Sequence, residues 1–242
     1  GIRPVLGCEV YVAPRDHREK DVRADKEYAH LVLLARNKQG YKNLMKLVTI
    51  GSTQGFYYKP RIDYALLEQH ASGLIALSAC LAGDIPRYLS QGRENEALEL
   101  ARRLSGMMGE NNFFIELQDH GIPEQKRLNS LLIDIANRAG VGLVATNDVH
   151  YVGREDAEAQ DVLMCIQTGK FVDEEDRMRF ATDEFYLKSP DEMADVFGYV
   201  PEALSNTTAI AQRCDVDLEF GRMHMPGFTP PDGSDNEAFL RR

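Results

Sequence analysis

Short apolar runs alternate with segments of helical periodicity along most of the chain. Residues are apolar on both faces of the runs GCEVYV, HLVLLAR, LIALSAC, FFIELQD and VGLVATND, which is typical of strands buried within a sheet. Helical periodicity marks GYKNLMKLVTIGS, IDYALLEQH, DIPRYLSQ, NEALELARRLSGMMG, PEQKRLNSLLIDIANRAG and REDAEAQDVLMCIQTG. This alternation predicts an α/β fold in which helices cover a parallel sheet, either a barrel or a doubly wound sheet.

The pattern changes at both margins of this region. The charged stretch PRDHREKDVRADKEYA reads as a mobile, solvated loop. Beyond residue 180, SPDEMADVF and PEALSNTTAIAQRC predict short helices, with DVDLEF as the only strand-like run, and we expect this part to pack against the outside of the sheet. No internal repeat interrupts this order.

The two ends lead us to expect a piece of a longer protein. The chain opens without Met on a strand-like run, and it closes with the Pro/Gly-rich FTPPDGSDNEAFLRR. Within that segment Ser234 and Glu237 have the spacing of a capping box, which predicts the start of a helix that stops within about two turns.

Composition narrows the function classes. The 28 basic and 38 acidic residues give a net charge of -10, so nothing in the charge balance favours wrapping nucleic acid. No apolar run reaches the roughly 18 residues of a membrane span and no signal peptide opens the chain, so we expect a cytoplasmic protein. Its four cysteines form no CxxC pair, which disfavours a disulfide framework or a zinc finger.

Metal-ligand residue types occur at the ends of several predicted strands. In GVGLVATNDVHYV, Asp148 and His150 would project from the same face of a strand end, where parallel α/β folds build their sites. Glu9 lies mid-strand among apolar neighbours, and burying it unpaired would cost several kcal/mol. His30 opens the second strand and Cys80 closes LIALSAC. If these five side chains converge, they form a plausible divalent-metal site.

Each of these residues also has a structural interpretation. Asp148 could end its strand by binding turn amides, and His30 or Cys80 taken alone is more often structural than ligating. The other histidines read as solvated or loop positions and the other cysteines as structural; they are His17, His70, His120, His224, Cys8, Cys165 and Cys214. The residues alone leave both interpretations open.

Longer stretches add a resemblance to a known family. The segments GCEVYV, AHLVLLARNKQGYKNLMKL, GFYYKPRID, LIALSACLAGDIPRYL, FFIELQDHGIPEQ, ATNDVHYVGREDAEAQDVLMCIQTG, FYLKSPDEM and MHMPGFTPP occur in order. Together they resemble the PHP (polymerase and histidinol phosphatase) domain of bacterial DNA polymerase III alpha subunits, with only the charged loop 15–27 distinctive.

The resemblance implies a distorted (β/α)₇ barrel whose rim holds up to three metal ions. Glu9, His30, Cys80, Asp148 and His150 correspond to family ligands, with Zn, Mn or Fe as the expected metals. The family's first His-x-His strand and further upstream ligands would lie before Gly1, so the resemblance implies a barrel that lacks its first βα units. It divides the chain into the PHP domain at 1–180, its helical end at 181–225 and a linker toward a palm domain at 226–242.

Function follows from the same resemblance. The parent would be a DNA-directed DNA polymerase whose palm aspartates, with Mg, lie beyond this chain, and we assign no polymerase catalytic residue here. This piece would be a metal-binding phosphoesterase or 3′–5′ exonuclease proofreading module, inactive as it stands. Primer-template DNA, dNTPs, a proofreading exonuclease subunit, the sliding clamp and the clamp loader are the implied partners, and no membrane is.

Two alternatives stay open. A free-standing phosphoesterase of the histidinol-phosphatase kind would share the barrel and the ligands, but we expect it to lack GFYYKPRID, FYLKSPDEM and the onward linker. A structural platform that docks a proofreading subunit would suit an acidic surface.

Overall fold

One mixed sheet forms the centre of the molecule. The computed structural model describes residues 3–223, 225 and 227–241, so His224 and the outermost residues of the predicted segments 1–180 and 226–242 lie outside the described residues. The strands are β1 Gly7–Val12, β2 Ala29–Ala35, β3 Arg61–Ile62, β4 Leu74–Leu77, β5 Phe113–Leu117 and β6 Gly142–Ala145.

Helices fill most of the connections between the strands. They are α1 Lys38–Thr53, α2 Tyr64–His70, α3 Asp84–Ser90, α4 Glu94–Met108, α5 Pro123–Ala139, α6 Ala157–Thr168, α7 Pro190–Phe197, α8 Pro201–Arg213 and α9 Asn236–Leu240. A single 3₁₀ turn, Arg154–Asp156, precedes α6. In the described ranges no helix is both long and apolar enough to traverse a bilayer.

Strand directions confirm the α/β class and correct one detail. The order is β3-β1-β2-β4-β5-β6, in which β2 is antiparallel to β1 and β4 while the other neighbouring pairs are parallel. The expectation of a purely parallel sheet is therefore wrong at β2. Its connection from β1, residues 13–28, contains no crossover helix that could return the chain in the same direction. The described residues show no pairing of β3 with β6, so they form a barrel-like α/β sheet without a demonstrated closure.

Both faces of the sheet carry apolar layers. The larger layer joins Leu31 and Leu33 of β2 with leucines from the helices that follow, such as Leu47 and Leu104. The opposite face is smaller, and there Ile210 of α8 packs with apolar residues of three strands, Ile75, Leu77, Phe114 and Val144. In the described residues, the apolar layer on this second face does not reach the C-terminal end of β1 or the N-terminal end of β2. The polar residues described below lie there.

The C-terminal part departs from two expectations. The run DVDLEF forms no strand, because residues 215–220 pair with no neighbouring strand. The predicted cap at Ser234 is also wrong by one residue. Asp235 caps α9 instead, and its side chain accepts a hydrogen bond from the Ala238 N–H at 2.8 Å.

The charged loop 13–28 is anchored at a few buried positions, although most of its residues are exposed. Arg61 is fully buried and its guanidinium donates to the carbonyl oxygens of Asp25 (2.7 Å), Glu19 (2.7 Å) and His17 (3.3 Å). Asp25 is itself 1% exposed and pairs with Arg15. The expectation of a solvated His17 is wrong, since its side chain is buried and the buried Arg61 guanidinium binds the His17 carbonyl.

Candidate metal centre

The reversed direction of β2 brings His30 to the candidate site. In the antiparallel register Tyr11 lies opposite His30 and Glu9 lies opposite Val32, so Glu9 is a diagonal neighbour of His30 on the same face. Because β2 runs against the other strands, its first residues reach the rim formed by their carboxyl ends. The His30 Nδ1 atom lies 2.9 Å from Glu9 Oε1.

Cys80 reaches the same point from the loop after β4. That loop is joined to β2, since the His30 N–H donates to the Ala82 carbonyl at 3.1 Å and His30 forms a bridge with Gly83. Cys80 Sγ lies 3.7 Å from His30 Nδ1. The potential ligand atoms of Glu9, His30 and Cys80 all lie within 4.8 Å of one another.

Electrostatics in this trio favour a charged imidazole. Hydrogen bonds to Cys80 and Glu9 raise the pKa of His30 to about 9, although partial burial acts in the opposite direction. The hydrogen bond from His30 lowers the pKa of Glu9 against the effect of burial, and the charges of His30 and His150 add to this. Glu9 is less buried than expected, with 39% of its side chain exposed, because it points away from the core face that holds Val10.

The donor set suits a borderline-soft divalent ion. A carboxylate, an imidazole and a thiolate are zinc-type ligands, and tetrahedral coordination at about 2.0–2.3 Å places neighbouring donors about 3.3–3.6 Å apart. The distances from Nδ1, 2.9 Å to Glu9 and 3.7 Å to Cys80, are close to that spacing. Small side-chain shifts would let these three residues hold such an ion, and loss of the His30 proton would accompany binding.

Asp148 and His150 lie outside this close group. β6 ends at Ala145, so the two residues belong to a loop, and the expectation that they share a strand face is wrong. The loop turns sharply at Asp148, whose φ of 43° is in the left-handed region. His150 Nδ1 contacts the Asp148 carbonyl oxygen at 2.7 Å, and the ring packs edge-on against Phe180. The charge of His150 still contributes to lowering the pKa of Glu9.

A buried carboxylate behind Cys80 was not identified from the sequence. Glu116 of β5 is 4% exposed and accepts hydrogen bonds from the Ala79 N–H (3.0 Å), from the Gln118 amide (3.0 Å) and from the Thr146 hydroxyl. Ala79 has a φ of 63°, a conformation that non-glycine residues rarely adopt. Burial raises the pKa of Glu116, while these hydrogen bonds act against the increase. Its place in an apolar strand, FFIEL, was the available signal.

His120 supports the loop that carries Asp148. Its side chain is completely buried, stacks on Phe185 with ring centroids 4.0 Å apart, and its Nε2 lies 2.8 Å from the Asn147 carbonyl oxygen. The Gln125 amide lies 2.8 Å from Nδ1, which assigns Nδ1 as acceptor and Nε2–H as donor. His120 is thus a structural residue beside the site, where the sequence suggested only a loop position.

A second group of metal-ligand types lies under the loop 13–28. It contains Asp16, His17 and Asp63. Asp63 accepts hydrogen bonds from the backbone N–H of His17 (2.8 Å) and contacts its ring at 2.6 Å, while Asp16 pairs with Arg18. Asp63 and Arg18 hold this group as a loop anchor, although the buried His17 Nε2 has no hydrogen-bond partner among the described residues. The trio at Glu9 is the group that the sequence also predicts.

Family comparison agrees with this architecture. The family model described as PHP domain matches residues 1–120, a range that includes the trio Glu9, His30 and Cys80. Residues 1–120 therefore match the PHP domain family, as the sequence resemblance indicated.

Similarity to individual proteins extends beyond the matched range. The chain is 47% identical to the DNA polymerase III subunit alpha of Treponema pallidum over 243 aligned residues, and 43% identical to that of Thermus aquaticus. A Helicobacter pylori DNA polymerase III subunit alpha is 37% identical. In each case the alignment covers 100% of this chain but only 20–21% of the relative, so the chain spans about a fifth of the length of these proteins.

Proposed function

We propose that this chain is the metal-binding PHP domain of a replicative DNA polymerase and that its rim is a phosphoesterase-type site. The observation that carries the proposal is the convergence of Glu9, His30 and Cys80, whose donor atoms lie within 4.8 Å of one another although they come from three separate elements. Similarity over the whole chain to DNA polymerase III alpha subunits supports the replicative context.

Each residue has a distinct role in the proposed site. Glu9 and Cys80 supply negative charge, and His30 supplies a nitrogen donor once its proton has left. Asp148 and His150 are proposed as additional ligands from the opposite side of the rim. A bound divalent metal would supply Lewis-acid stabilisation of a phosphoester oxygen and a water of lowered pKa. Glu116 and His120 hold the two loops that present these ligands, which keeps the donors in position.

The finer assignment is 3′–5′ exonuclease proofreading, with Zn, Mn or Fe as the metal. We propose that the parent protein is a DNA-directed DNA polymerase, a cytoplasmic nucleotidyltransferase that uses Mg at a site outside this chain. Its proposed partners are primer-template DNA, dNTPs and the replisome subunits: a proofreading exonuclease subunit, the sliding clamp and the clamp loader. We further propose that the chain alone binds metal weakly and hydrolyses no DNA, because among the five proposed ligands only Glu9, His30 and Cys80 form a close group in the described residues.

Metal titration tests the proposed site directly. Isothermal calorimetry with Zn²⁺ and Mn²⁺ on this chain should give weak binding that Cys80→Ser and His30→Gln reduce further. Cys8→Ser is the matched control, since Cys8 is one residue from Glu9 but is absent from the trio. The parent polypeptide should bind the same metals tightly and release nucleotides from a DNA 3′ end in a metal-dependent way.

Two outcomes would refute parts of this proposal. Zinc binding that Cys80→Ser leaves unchanged would remove the trio as the metal site. Tight binding by the parent polypeptide without any hydrolysis would favour a structural platform over an exonuclease.

A further inference from the structure

Two tyrosines extend the candidate metal site along the open face of the sheet. Tyr11 lies opposite His30 in the strand register, and Tyr28 precedes His30 by two residues. The Tyr28 ring is parallel to the His30 ring, with an interplanar angle of 1° and centroids 6.1 Å apart. Tyr11 packs edge-on against both rings, with centroids 4.7 Å from Tyr28 and 5.2 Å from His30.

These tyrosines are not part of the hydrophobic core. Neither ring belongs to the apolar layers on the two sheet faces, and both residues are partly buried. Their ring contacts lead from solvent to His30, a candidate ligand. Because both tyrosines are only partly buried, each keeps some exposed surface that a base could contact.

A cation completes the surface. The Lys59 ammonium lies 5.7 Å from the centre of the Tyr11 ring. Lys59 precedes β3, whose Arg61 pairs with Tyr11 in the parallel register. Although the chain is acidic overall, this point combines aromatic rings with a positive charge, which is the combination that single-stranded nucleic acids bind.

We propose that Tyr11, Tyr28 and Lys59 form a subsite for the end of a single-stranded nucleic acid. Bases stack on the two tyrosines, and Lys59 contacts a neighbouring phosphate. The strand end then lies beside Glu9, His30 and Cys80, where the phosphoester would be processed. This inference rests on the proposed function, because it names residues that would bind the strand end at the same site.

Stacking and charge make different contributions, which permits a specific test. Stacking is insensitive to sequence but requires bases, and its loss lowers affinity by at least about fivefold per base. One phosphate contact changes the slope of log affinity against log salt by only about 0.7. A subsite of this composition should therefore bind a normal strand more tightly than an abasic one, and its affinity should depend only weakly on salt concentration.

Fluorescence anisotropy in EDTA measures this binding without any metal. A short fluorescein-labelled oligothymidylate should bind this chain more tightly than an abasic phosphodiester of equal length. Tyr28→Leu and Tyr11→Leu should each weaken binding at least about fivefold, while Tyr28→Phe should retain it. Lys59→Gln should reduce the salt slope by about 0.7. Tyr199→Leu, at a tyrosine 60% exposed beyond α7, is the matched control and should have no effect.

The outcomes separate this inference from the proposed function. Equal affinity for the abasic strand, unchanged binding by both leucine variants, or no binding of the oligothymidylate would overturn the subsite. Because the oligothymidylate binding is measured in EDTA, a failure of metal binding or hydrolysis would refute the phosphoesterase proposal while the subsite stands.

Discussion

The buried Glu116 carboxylate accepts a hydrogen bond from the backbone N–H of Ala79 at 3.0 Å. Ala79 adopts a left-handed conformation immediately before Cys80, so a side chain on β5 holds the backbone turn that presents the candidate thiol ligand. The two residues are 37 positions apart in the sequence. This contact couples the stability of the fold to the geometry of the site.

Replacement of Glu116 should therefore affect both properties. Glu116→Leu removes the acceptor for the Ala79 N–H, the Gln118 amide and the Thr146 hydroxyl, and we expect a loss of about 2–5 kcal/mol in the free energy of unfolding. Glu116→Gln keeps one acceptor oxygen and should cost about 1–3 kcal/mol. Urea denaturation measures both values, with the exposed Glu99→Gln as a neutral control. If Glu116→Leu matched the wild type in stability, the proposed anchoring of Ala79 would be wrong.

Arg61 offers a second test, because one buried cation organises a long loop. Arg61→Met removes donors from the carbonyls of His17, Glu19 and Asp25, and we expect it to cost at least about 3 kcal/mol. Amide hydrogens across residues 13–28 should exchange faster in the variant than in the wild type. The amides of β5 should exchange at the wild-type rate once the difference in global stability has been subtracted. Protection of the loop in Arg61→Met would contradict this anchoring role.

Sequence patterns predicted five of the six described strands, because burial on both faces leaves a local signal, whereas the two-residue β3 was missed. An apolar run such as AHLVLLA does not indicate whether its strand is parallel or antiparallel to its neighbours. The antiparallel orientation of β2 was therefore missed. The class and the grouping of Glu9, His30 and Cys80 follow from strand ends and from the resemblance. Their mutual distances required the antiparallel register, in which Glu9 and His30 become diagonal neighbours.

Other features depend on partners far away along the chain. The charged loop was expected to be solvated because its own residues are polar, yet its anchor Arg61 lies 36 residues beyond Asp25. Asp148 and His150 were placed on one strand face because the apolar run continues to Ala145, but the left-handed φ at Asp148 ends that regularity. The local sequence shows neither the distant partner of a loop nor the backbone conformation that ends a strand.

The stability that Asp63 contributes to the loop anchor should depend on pH. Burial alone would raise its pKa, but hydrogen bonds from His17 and from the Leu66 N–H prevail and lower the pKa below its ordinary 3.8. A lowered folded-state pKa gives stabilisation that is present above pH 3.8 and is lost as the pH falls through the folded value. The stability difference between wild type and Asp63→Asn should therefore shrink on acidification below that pH. Urea midpoints measured across this pH range test the prediction. A stability difference between wild type and Asp63→Asn that grew on acidification would refute the role given to Asp63.

His120 should show a related dependence in a higher pH range. Burial lowers its pKa below 6.5, and the neutral ring donates from Nε2 to the Asn147 carbonyl. Its contribution is therefore present above pH 6.5 and is lost as the pH falls through the lower folded value. His120→Phe keeps the stacking on Phe185 but leaves the Asn147 carbonyl and the Gln125 amide unpaired, a cost of about 2–4 kcal/mol near neutral pH.

The pH profile distinguishes this role from simple packing. If His120 acts through its neutral Nε2–H, the stability gap between wild type and His120→Phe narrows as the pH falls below 6.5, because only the wild type must protonate a buried ring. A residue that served only to fill space would give a gap independent of pH. Because His120 holds the backbone just before Asp148, its protonation would also loosen the loop that carries Asp148 and His150, and hydrogen exchange at these residues should rise in parallel with the loss of stability.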